Sequence, residues 1–341
     1  MKRKILWVGL SFLLVAALLL PSCAEEAVTG EEEEEEEEEK WASDVEIIFF
    51  VGGDPGDTFS TVVYNGALQA AADTGAQVEY VFSGWDPERM INQLREAIAK
   101  RPDGIAMMGH AGDEAIMPLA EDAYDAGIIM MYMNVDVPDV RPIYGGGYVG
   151  ANLVIQGSAL ADEAIRVYDL EPGDFLIVVG PFGEPGRGVR EAATADRLEE
   201  KGMIVERITS PPGGGWASDP SLAIPVLSAA FLANPEVKAY CTPGGQFLGA
   251  ADLYGEAIGS EPGEIGAFGY DLSAAVIRMF EEGWVQLTSD QQPYLQGYIP
   301  ILSICLSAKY ELAPMSVDTS KGFIYATTYA AVKALAEEGI R

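Results

Sequence analysis

Few residues in this chain belong to the types that carry out covalent chemistry. His110 is the only histidine, so neither an H-E-x-x-H zinc helix nor a pair of histidine ligands can form. A Ser-His-Asp triad would need His110, and no G-x-S-x-G turn is present to hold its serine. The G-x-x-x-x-G-K-[ST] phosphate loop is also absent. We therefore expect no catalytic residue, no metal and no cofactor.

One glycine-rich segment does match a known binding motif. Residues 145–150 fit the G-x-G-x-x-G pattern of dinucleotide sites, with Glu171 about 20 residues beyond it, as that motif requires. The segment does not lie in the first strand–helix unit, however, which is where such sites occur. We favour a flexible crossover between two halves of the chain, and a dinucleotide site is the alternative.

The amino terminus is typical of an exported protein. Residues 2–4 are basic and precede an apolar run over residues 5–20, which is shorter than the ~20 residues that a spanning helix needs. The end of this run, Leu-Pro-Ser-Cys at Cys23, resembles the lipobox of bacterial lipoproteins, whose cysteine is lipidated. We expect a signal peptide over residues 1–22 and a lipid on Cys23, which tethers the folded part to a membrane outside the cytoplasm. An uncleaved membrane anchor is the alternative.

The charge distribution excludes a nucleic-acid partner. Residues 31–39 are consecutive glutamates that repel one another, so we interpret residues 23–43 as an extended, lipid-anchored acidic linker. From Trp41 onward, 42 acidic residues against 17 basic ones leave a net charge of −25. Such a surface repels a phosphate backbone, and no basic stripe with interleaved aromatics is present.

Predicted strands and helices, which would position a site, alternate regularly along the chain. Apart from Glu46, residues 45–52 form a continuous apolar run, as expected of a parallel strand covered on both faces, and a helical stretch follows over residues 58–74. Residues 86–88, Asp-Pro-Glu, are typical of a helix N-cap and first turn. The same rhythm restarts after residues 145–147 and includes a predicted helix over residues 247–258. Repeated units of this kind predict an α/β fold with two doubly wound parallel-sheet lobes, in which ligands bind beyond the carboxyl ends of the strands.

Two cysteines remain once Cys23 is assigned to lipid. Cys241 follows an apolar strand and Cys305 lies in an apolar helix. We therefore expect two separate buried thiols and no disulfide.

Short motifs along the chain resemble those of one protein family. Residues 57–59 open the first helix with an aromatic residue, and residues 86–105 resemble a stretch that reads "DP…QI…AIAKKPDGI" in that family. Residues 269–271 match a G-[FY]-D turn, and residues 291–298 resemble the segment "DQQPYxQGY". By the order and spacing of these motifs, residues 45–340 resemble the periplasmic binding proteins of the ribose/galactose type.

The resemblance implies the type I solute-binding fold, with two lobes joined by a three-segment hinge. The expected N-terminal lobe comprises residues 44–146 plus about 292–315, and the expected C-terminal lobe comprises residues 147–291 plus about 316–341. The expected crossovers lie near residues 144–150, 290–293 and 316–322.

The resemblance also implies a set of ligand-binding residues. Asp271, Gln291 and Asn134 would bind ligand hydroxyls, because carboxylates and amides complement groups that both donate and accept. Phe59 would cover an apolar sugar face. Arg190 would fork across two neighbouring oxygens, although Arg187 fits the same role and the register is open.

Further loop residues are candidates by position alone. His110 follows a strand and is a candidate for the cleft, and the loop aromatics Trp85, Phe182 and Trp216 are others. Structural roles are the alternatives for the residues implied by the resemblance. Asp271 can cap a helix, Phe59 can belong to the core, and Arg190 can pair with a neighbouring acid on a surface helix.

Two departures from the ribose binders leave the ligand open. Residues 134–136 read Asn-Val-Asp where those proteins have an aspartate–arginine pair, and residues 243–245 read Pro-Gly-Gly in place of Asn-Asp. We expect a monomeric, non-enzymatic solute-binding lipoprotein that captures a small neutral solute, a monosaccharide, by hinged closure and delivers it to an ABC permease. The alternatives are binding of autoinducer-2 or a nucleoside, a ligand-sensing receptor subunit, and a secreted glycoside hydrolase.

Overall fold

Two six-stranded sheets, each covered by helices, make up the described part of the chain. The computed structural model describes residues 40–183, 187–211, 215–320 and 322–341. The described residues between Lys40 and Arg341 form one compact unit. The predicted signal peptide, Cys23 and the glutamate run lie outside the described residues.

The first sheet has the strand order β11-β5-β4-β3-β1-β2, and all its pairs are parallel. Its strands are β1 (Glu46–Gly52), β2 (Gln77–Phe82), β3 (Gly104–Met108), β4 (Ile129–Met133), β5 (Gly147–Gly150) and β11 (Val317–Asp318).

The second sheet repeats this order as β12-β10-β9-β8-β6-β7. Its strands are β6 (Phe175–Gly180), β7 (Ile204–Thr209), β8 (Val237–Thr242), β9 (Gly266–Tyr270), β10 (Val285–Asp290) and β12 (Gly322–Tyr325). Only the edge strand β12 pairs antiparallel within this sheet.

Helices connect the strands in both lobes. Those of the first lobe are α1 (Thr58–Thr74), α2 (Pro87–Lys100), α3 (Gly112–Asp125), α4 (Arg141–Tyr144) and, after the second sheet, α12 (Pro293–Tyr310). Those of the second lobe are α5 (Leu153–Val167), α6 (Val189–Glu200), α7 (Gly215–Ser218), α8 (Ile224–Ala233), α9 (Gly245–Leu248), α10 (Ala251–Glu256), α11 (Ala274–Glu282) and α13 (Lys333–Glu337).

Side-chain caps explain where the helices next to the sheet ends begin. Asp57 Oδ1 accepts from the backbone N–H of Ser60 at 2.8 Å and so starts α1. Asp86 caps α2, whose first residue is a proline, as the sequence predicts. Ser273 caps α11 through the N–H of Val276.

Alternate residues of the central strands pack into different cores. In β1, Phe49 and Val51 belong to one buried cluster and Ile48 and Phe50 to another. Both faces of the sheet are therefore covered at β1, which is why this strand is apolar without interruption from Ile47 onward. The prediction of two doubly wound lobes is confirmed.

The chain crosses between the lobes three times. The pairing of Gly147–Gly150 with β4 places this segment in the first sheet, so the glycine-rich motif is a strand and not a flexible crossover. A side chain at 147 would lie 2.0 Å from the carbonyl oxygen of Met315, which explains the glycine there. The first lobe therefore extends to Gly150, beyond the boundary expected after residue 146. It also includes β11, although a boundary near residue 315 was expected.

The other two crossovers lie between β10 and α12 and between β11 and β12. Helix α12 returns to the first lobe and packs against α1 so closely that a Cβ at Gly297 would lie 1.9 Å from the carbonyl oxygen of Val63. Glycine is needed there because the two helix backbones touch.

The prediction for the two cysteines is confirmed, and the prediction of one helix over residues 247–258 is wrong. Cys241 and Cys305 are free and buried, as expected. The helix predicted over residues 247–258 is instead the two short helices α9 and α10, which are separated at Gly249, where a Cβ would lie 2.7 Å from that of Ala275. In the part of the chain that the structure describes, no helix has the length and apolarity to cross a membrane.

Candidate functional site

The candidate site lies where the carboxyl ends of the strands of both sheets face one another. In each sheet the strand order reverses beside the first strand, β1 in one lobe and β6 in the other, and ligands of open α/β sheets bind at such points. The segments that follow β1 and β8 meet there, since Gln246 Nε2, in α9, donates to Asp57 Oδ2 at 2.9 Å. The two lobes are therefore in direct contact at the edge of the cleft.

A chain of buried polar side chains spans the cleft floor. Asn134, directly after β4, donates from Nδ2 to Gln291 Oε1 at 3.1 Å. Gln291, directly after β10, donates from Nε2 to Asp271 Oδ1 at 2.6 Å. The three residues are at most 8% exposed. They join the first lobe, the second crossover and the second lobe in one hydrogen-bonded row.

Asn134 and Asp271 occupy a backbone conformation that few residues tolerate. Their φ angles are 62° and 71°, in the left-handed region that asparagine and aspartate adopt more readily than other side chains. Each residue directly follows the last residue of its strand, and its side chain forms a hydrogen bond with Gln291 at the second crossover. Asp271 does not cap α11, because Ser273 does so, and its Oδ2 accepts no hydrogen bond from any described residue.

Arg190 lies buried at the start of α6 in a second polar cluster. Its Nη2 donates to the carbonyl oxygen of Pro243 at 2.7 Å, and its Nε donates to Glu191 Oε1 at 3.1 Å. Its guanidinium carbon lies 3.8 Å from the ring centre of Tyr270. Arg187 also binds Glu191 and Pro243, from a more exposed position. Arg190 is therefore held over an aromatic ring, and its Nη1 donates to no described residue.

Burial and charge shape the ionisation of this cluster. Burial opposes the charge of Arg190, but the carboxylates of Glu191 and Asp271 outweigh it and raise its pKa. Burial also opposes the charge of Glu191, yet Arg187 and Arg190 lower the pKa of this carboxyl. Burial raises the pKa of Asp271 in spite of Arg190 and Gln291. This cluster thus holds two cationic side chains, Arg187 and Arg190, and two acidic ones, Glu191 and Asp271.

An aromatic corner closes the first-lobe side of the cleft. The ring centres of Trp85 and His110 lie 5.1 Å apart, and those of Trp85 and Phe59 lie 5.8 Å apart. Trp85 has a φ of 58° and packs on the backbone of Gly52 and Gly53, where a Cβ on either glycine would lie 2.6 Å from the indole. These glycines therefore make room for the indole.

His110 is neutral in this environment. Burial, together with the charges of Arg187 and Arg190 of the other lobe, lowers its pKa to about 3. Its Nδ1 is buried without a hydrogen-bond partner among the described residues. A buried imidazole of this kind adds no charge to the cleft.

The structure brings most of the predicted site residues together. Asn134, Gln291 and Asp271 form one row, Arg190 and Arg187 lie in the adjacent cluster, and His110 faces them from the first lobe. Phe59 is only 8% exposed and belongs to the first-lobe core, so Trp85 presents the more accessible ring. Of the other loop aromatics, Trp216 packs on Phe247 and Phe182 lies near Arg207.

Sequence reasoning did not single out Asp57, Gln246 or Gln296 as individual site residues. Asp57 caps α1 and accepts from both Gln246 and Trp85 Nε1, the latter at 3.4 Å. Gln296, in the first turn of α12, contacts both Asn134 and Gln291. Amides carry no motif of their own, and only the fold brings these residues to the cleft.

The arrangement suits binding more than covalent chemistry. Its carboxylates and amides form hydrogen bonds with each other and with backbone groups, and its one histidine is neutral. The free Asp271 oxygen, the Arg190 Nη1 and the Trp85 ring offer an acceptor, a donor and an apolar face to a polyhydroxylated ligand.

Comparison with known families identifies the class of protein. The model of the periplasmic binding protein domain matches residues 48–309, which is more than half of the chain. The chain therefore belongs to the periplasmic binding protein domain family. This confirms the resemblance that the sequence motifs indicated, together with its type I fold.

Individual relatives are more distant. The xylose/arabinose-binding protein XylF of Sulfolobus acidocaldarius is 29% identical over 255 residues, which cover 70% of this chain and 60% of the relative. A carbohydrate transporter protein of Acidothermus cellulolyticus in complex with myo-inositol has a TM-score of 0.75 at 22% identity and covers 87% of this chain and 99% of its own. A solute-binding protein of an ABC transporter from Burkholderia graminis, in complex with D-arabinose, has a TM-score of 0.73 at 18% identity, covering 85% and 98%.

Proposed function

We propose that this protein captures a neutral monosaccharide, of the aldopentose class, between its two lobes and delivers it to an ABC importer. The observation that carries the proposal is the row Asn134–Gln291–Asp271, which joins both lobes and offers hydrogen-bonding atoms to the cleft. A ligand bound to both ends of this row stabilises the closed arrangement of the lobes, which the importer then recognises.

The charges of the site support a neutral ligand. Arg187 and Arg190 are balanced by Glu191 and Asp271, so a neutral ligand leaves no buried charge uncompensated. A sugar acid or an amino sugar would add one. The aldopentose class is supported by the name of the xylose/arabinose-binding relative.

We further propose that the protein acts outside the cytoplasm as a lipoprotein. The support is the basic and apolar amino terminus that ends at Cys23, together with the family to which the folded part belongs. Lipid attachment is tested by metabolic labelling with a fatty acid in a bacterial host. We expect label in the wild type and none in Cys23→Ser, and equal labelling of the two would sink this part of the proposal.

The ligand class is tested by thermal unfolding of the protein against a panel of aldopentoses, hexoses, polyols, nucleosides and autoinducer-2. A ligand that binds only the folded state adds about 2.7 kcal/mol of stability at a hundredfold excess over its dissociation constant. We expect the largest rise in midpoint with an aldopentose. A rise with a nucleoside or autoinducer-2 alone would keep the fold and reject the sugar.

A further inference from the structure

Gln296 is a buried polar residue that lies beside the row Asn134–Gln291–Asp271 but does not belong to it. It lies in the first turn of α12, on the first-lobe side of the second crossover, and is 0% exposed. A buried glutamine must satisfy its hydrogen-bonding groups inside the protein or destabilise the fold. Its partners therefore indicate what it does.

The backbone of the crossover fixes which way the Gln296 amide faces. Its Nε2 donates to the carbonyl oxygen of Gln291 at 3.0 Å. A backbone carbonyl can only accept, so the nitrogen must be on that side and Oε1 on the other. Nε2 also lies 3.3 Å from Thr319 Oγ1, at the third crossover. The amide is thereby held between two of the three hinge segments.

A second hydrogen bond, to a group that can only accept, fixes the orientation of the Gln291 side-chain amide. Its Nε2 donates to the carboxylate of Asp271, which leaves Gln291 Oε1 turned toward Asn134. Two amide oxygens, Oε1 of Gln291 and Oε1 of Gln296, therefore converge on Asn134 Nδ2, at 3.1 and 3.3 Å. Both hydrogens of that nitrogen are used.

Only one orientation of the Asn134 amide is compatible with these two fixed glutamine amides. If the Asn134 amide were flipped, its Oδ1 would face Oε1 of Gln291 and Oε1 of Gln296, and neither oxygen can donate a hydrogen bond. In the observed orientation no described residue donates to Asn134 Oδ1, which leaves this atom for the ligand. We propose that Gln296 is a positioning residue that holds Asn134 with its amide oxygen toward the ligand, so that this position accepts a hydrogen bond from a ligand hydroxyl. The hydrogen bond from a ligand hydroxyl to Asn134 rests on the proposed function, whereas the orientation of the Asn134 amide does not.

The orientation is tested in the protein without ligand. In ¹⁵N NMR spectra, the side-chain NH₂ protons of Asn134 should exchange slowly with water in the wild type, because both are hydrogen-bonded. In Gln296→Met, which has a similar size but no polar atoms, we expect their exchange to be at least tenfold faster, while backbone amides of β6 keep their protection. Equal exchange in both proteins would overturn the proposal.

A matched control comes from the second lobe. Gln156 is also 0% exposed and donates to Ser289 Oγ at 3.0 Å, but it has no contact with Asn134. Gln156→Met makes the same chemical change in a buried glutamine outside this network. It should leave the Asn134 side-chain protons protected, and loss of protection in the control would show that any buried glutamine has this effect.

Ligand selectivity provides the second readout. With D-xylose as the probe, Gln296→Met should bind about three- to tenfold more weakly than wild type, the effect of one hydrogen bond. Deoxyfluoro analogues of D-xylose keep a weak acceptor and lose the donor at one position. The analogue altered at the hydroxyl that meets Asn134 should bind poorly to the wild type, and its penalty relative to D-xylose should shrink in Gln296→Met. An unchanged penalty would contradict the positioning role.

The two proposals fail separately. If the wild type does not bind D-xylose, the aldopentose assignment fails, and the exchange measurement still decides the role of Gln296. If Gln296→Met does not fold, Gln296→Glu replaces it. Its carboxyl can donate to the Gln291 carbonyl only when protonated, so Asn134 protection should fall as the pH rises, relative to wild type at the same pH. Asp271, Asp290, Arg190 and Arg341 are the charged groups around this network and are common to both proteins. A variant that follows the wild type at every pH would overturn the proposal.

Discussion

Replacing Arg190 by methionine should destabilise the second lobe far more than the same change at Arg187. Arg190 is 1% exposed and contacts the fully buried Glu191, the Pro243 carbonyl and the Tyr270 ring. Removing one partner of a buried ion pair typically costs 3–5 kcal/mol, because the other charge remains buried. Arg187 still contacts Glu191 in this variant, at 3.0 Å, so we expect the lower end of this range, about 3 kcal/mol.

The matched variant is Arg187→Met. The side chain of Arg187 is 22% exposed, and Arg190 continues to neutralise Glu191 after its removal. We expect a loss of about 1 kcal/mol, typical of a partly solvated pair.

Urea unfolding followed by circular dichroism measures both effects. With a slope of about 3 kcal/mol/M, the Arg190 variant should lose about 1 M in its midpoint and the Arg187 variant about 0.3 M. The reasoning would be refuted if Arg190→Met unfolded at the wild-type midpoint, or if Arg187→Met were the less stable of the two.

Two further predictions concern the opposite lobe and the contact between the lobes. The pKa of His110 is about 3 in the folded protein and near 6.5 when unfolded, so only the unfolded state gains this proton between those pH values. Wild type should therefore lose stability as the pH falls from 6.5 toward 3, by at most about 1.4 kcal/mol per pH unit from this group. Urea unfolding at pH 7 and pH 4 should reveal a smaller loss in His110→Gln, and equal losses would contradict the neutral, buried imidazole. In Gln246→Leu, which lacks the hydrogen bond to Asp57, D-xylose should dissociate about fivefold faster in stopped-flow measurements, since such a bond contributes about 1 kcal/mol. An unchanged rate would mean that this contact does not hold the lobes together.

The alternation of strands and helices could be predicted from the sequence alone. Residues 47–52 are apolar without interruption because both faces of β1 are covered, and this pattern can be recognised in a single segment of the sequence. Segment 145–150 was interpreted wrongly because its glycines suggest flexibility. Gly147 is there because the backbone of Met315 passes too close for a side chain, and this contact joins residues far apart in sequence.

The candidate site was predictable where residues follow strands directly. Asn134 and Asp271 come immediately after β4 and β9, so the carboxyl end of a parallel strand brings each of them to the cleft. Gln246 and Gln296 lie within helices and reach the cleft only because of how the lobes and α12 pack. Phe59 and Trp85 illustrate the same limit, since the sequence does not tell which of two neighbouring aromatics is covered by the other.

Isothermal titration of the protein with D-xylose, in parallel with Asp271→Ala and the control Gln156→Met, tests whether a neutral sugar binds at the row that joins the lobes. We expect one site per chain in the wild type and in the control. In Asp271→Ala we expect a loss of about 1–3 kcal/mol of binding energy, which amounts to a roughly five- to 150-fold weaker affinity. Binding that survives unchanged in Asp271→Ala would place the sugar elsewhere in the protein.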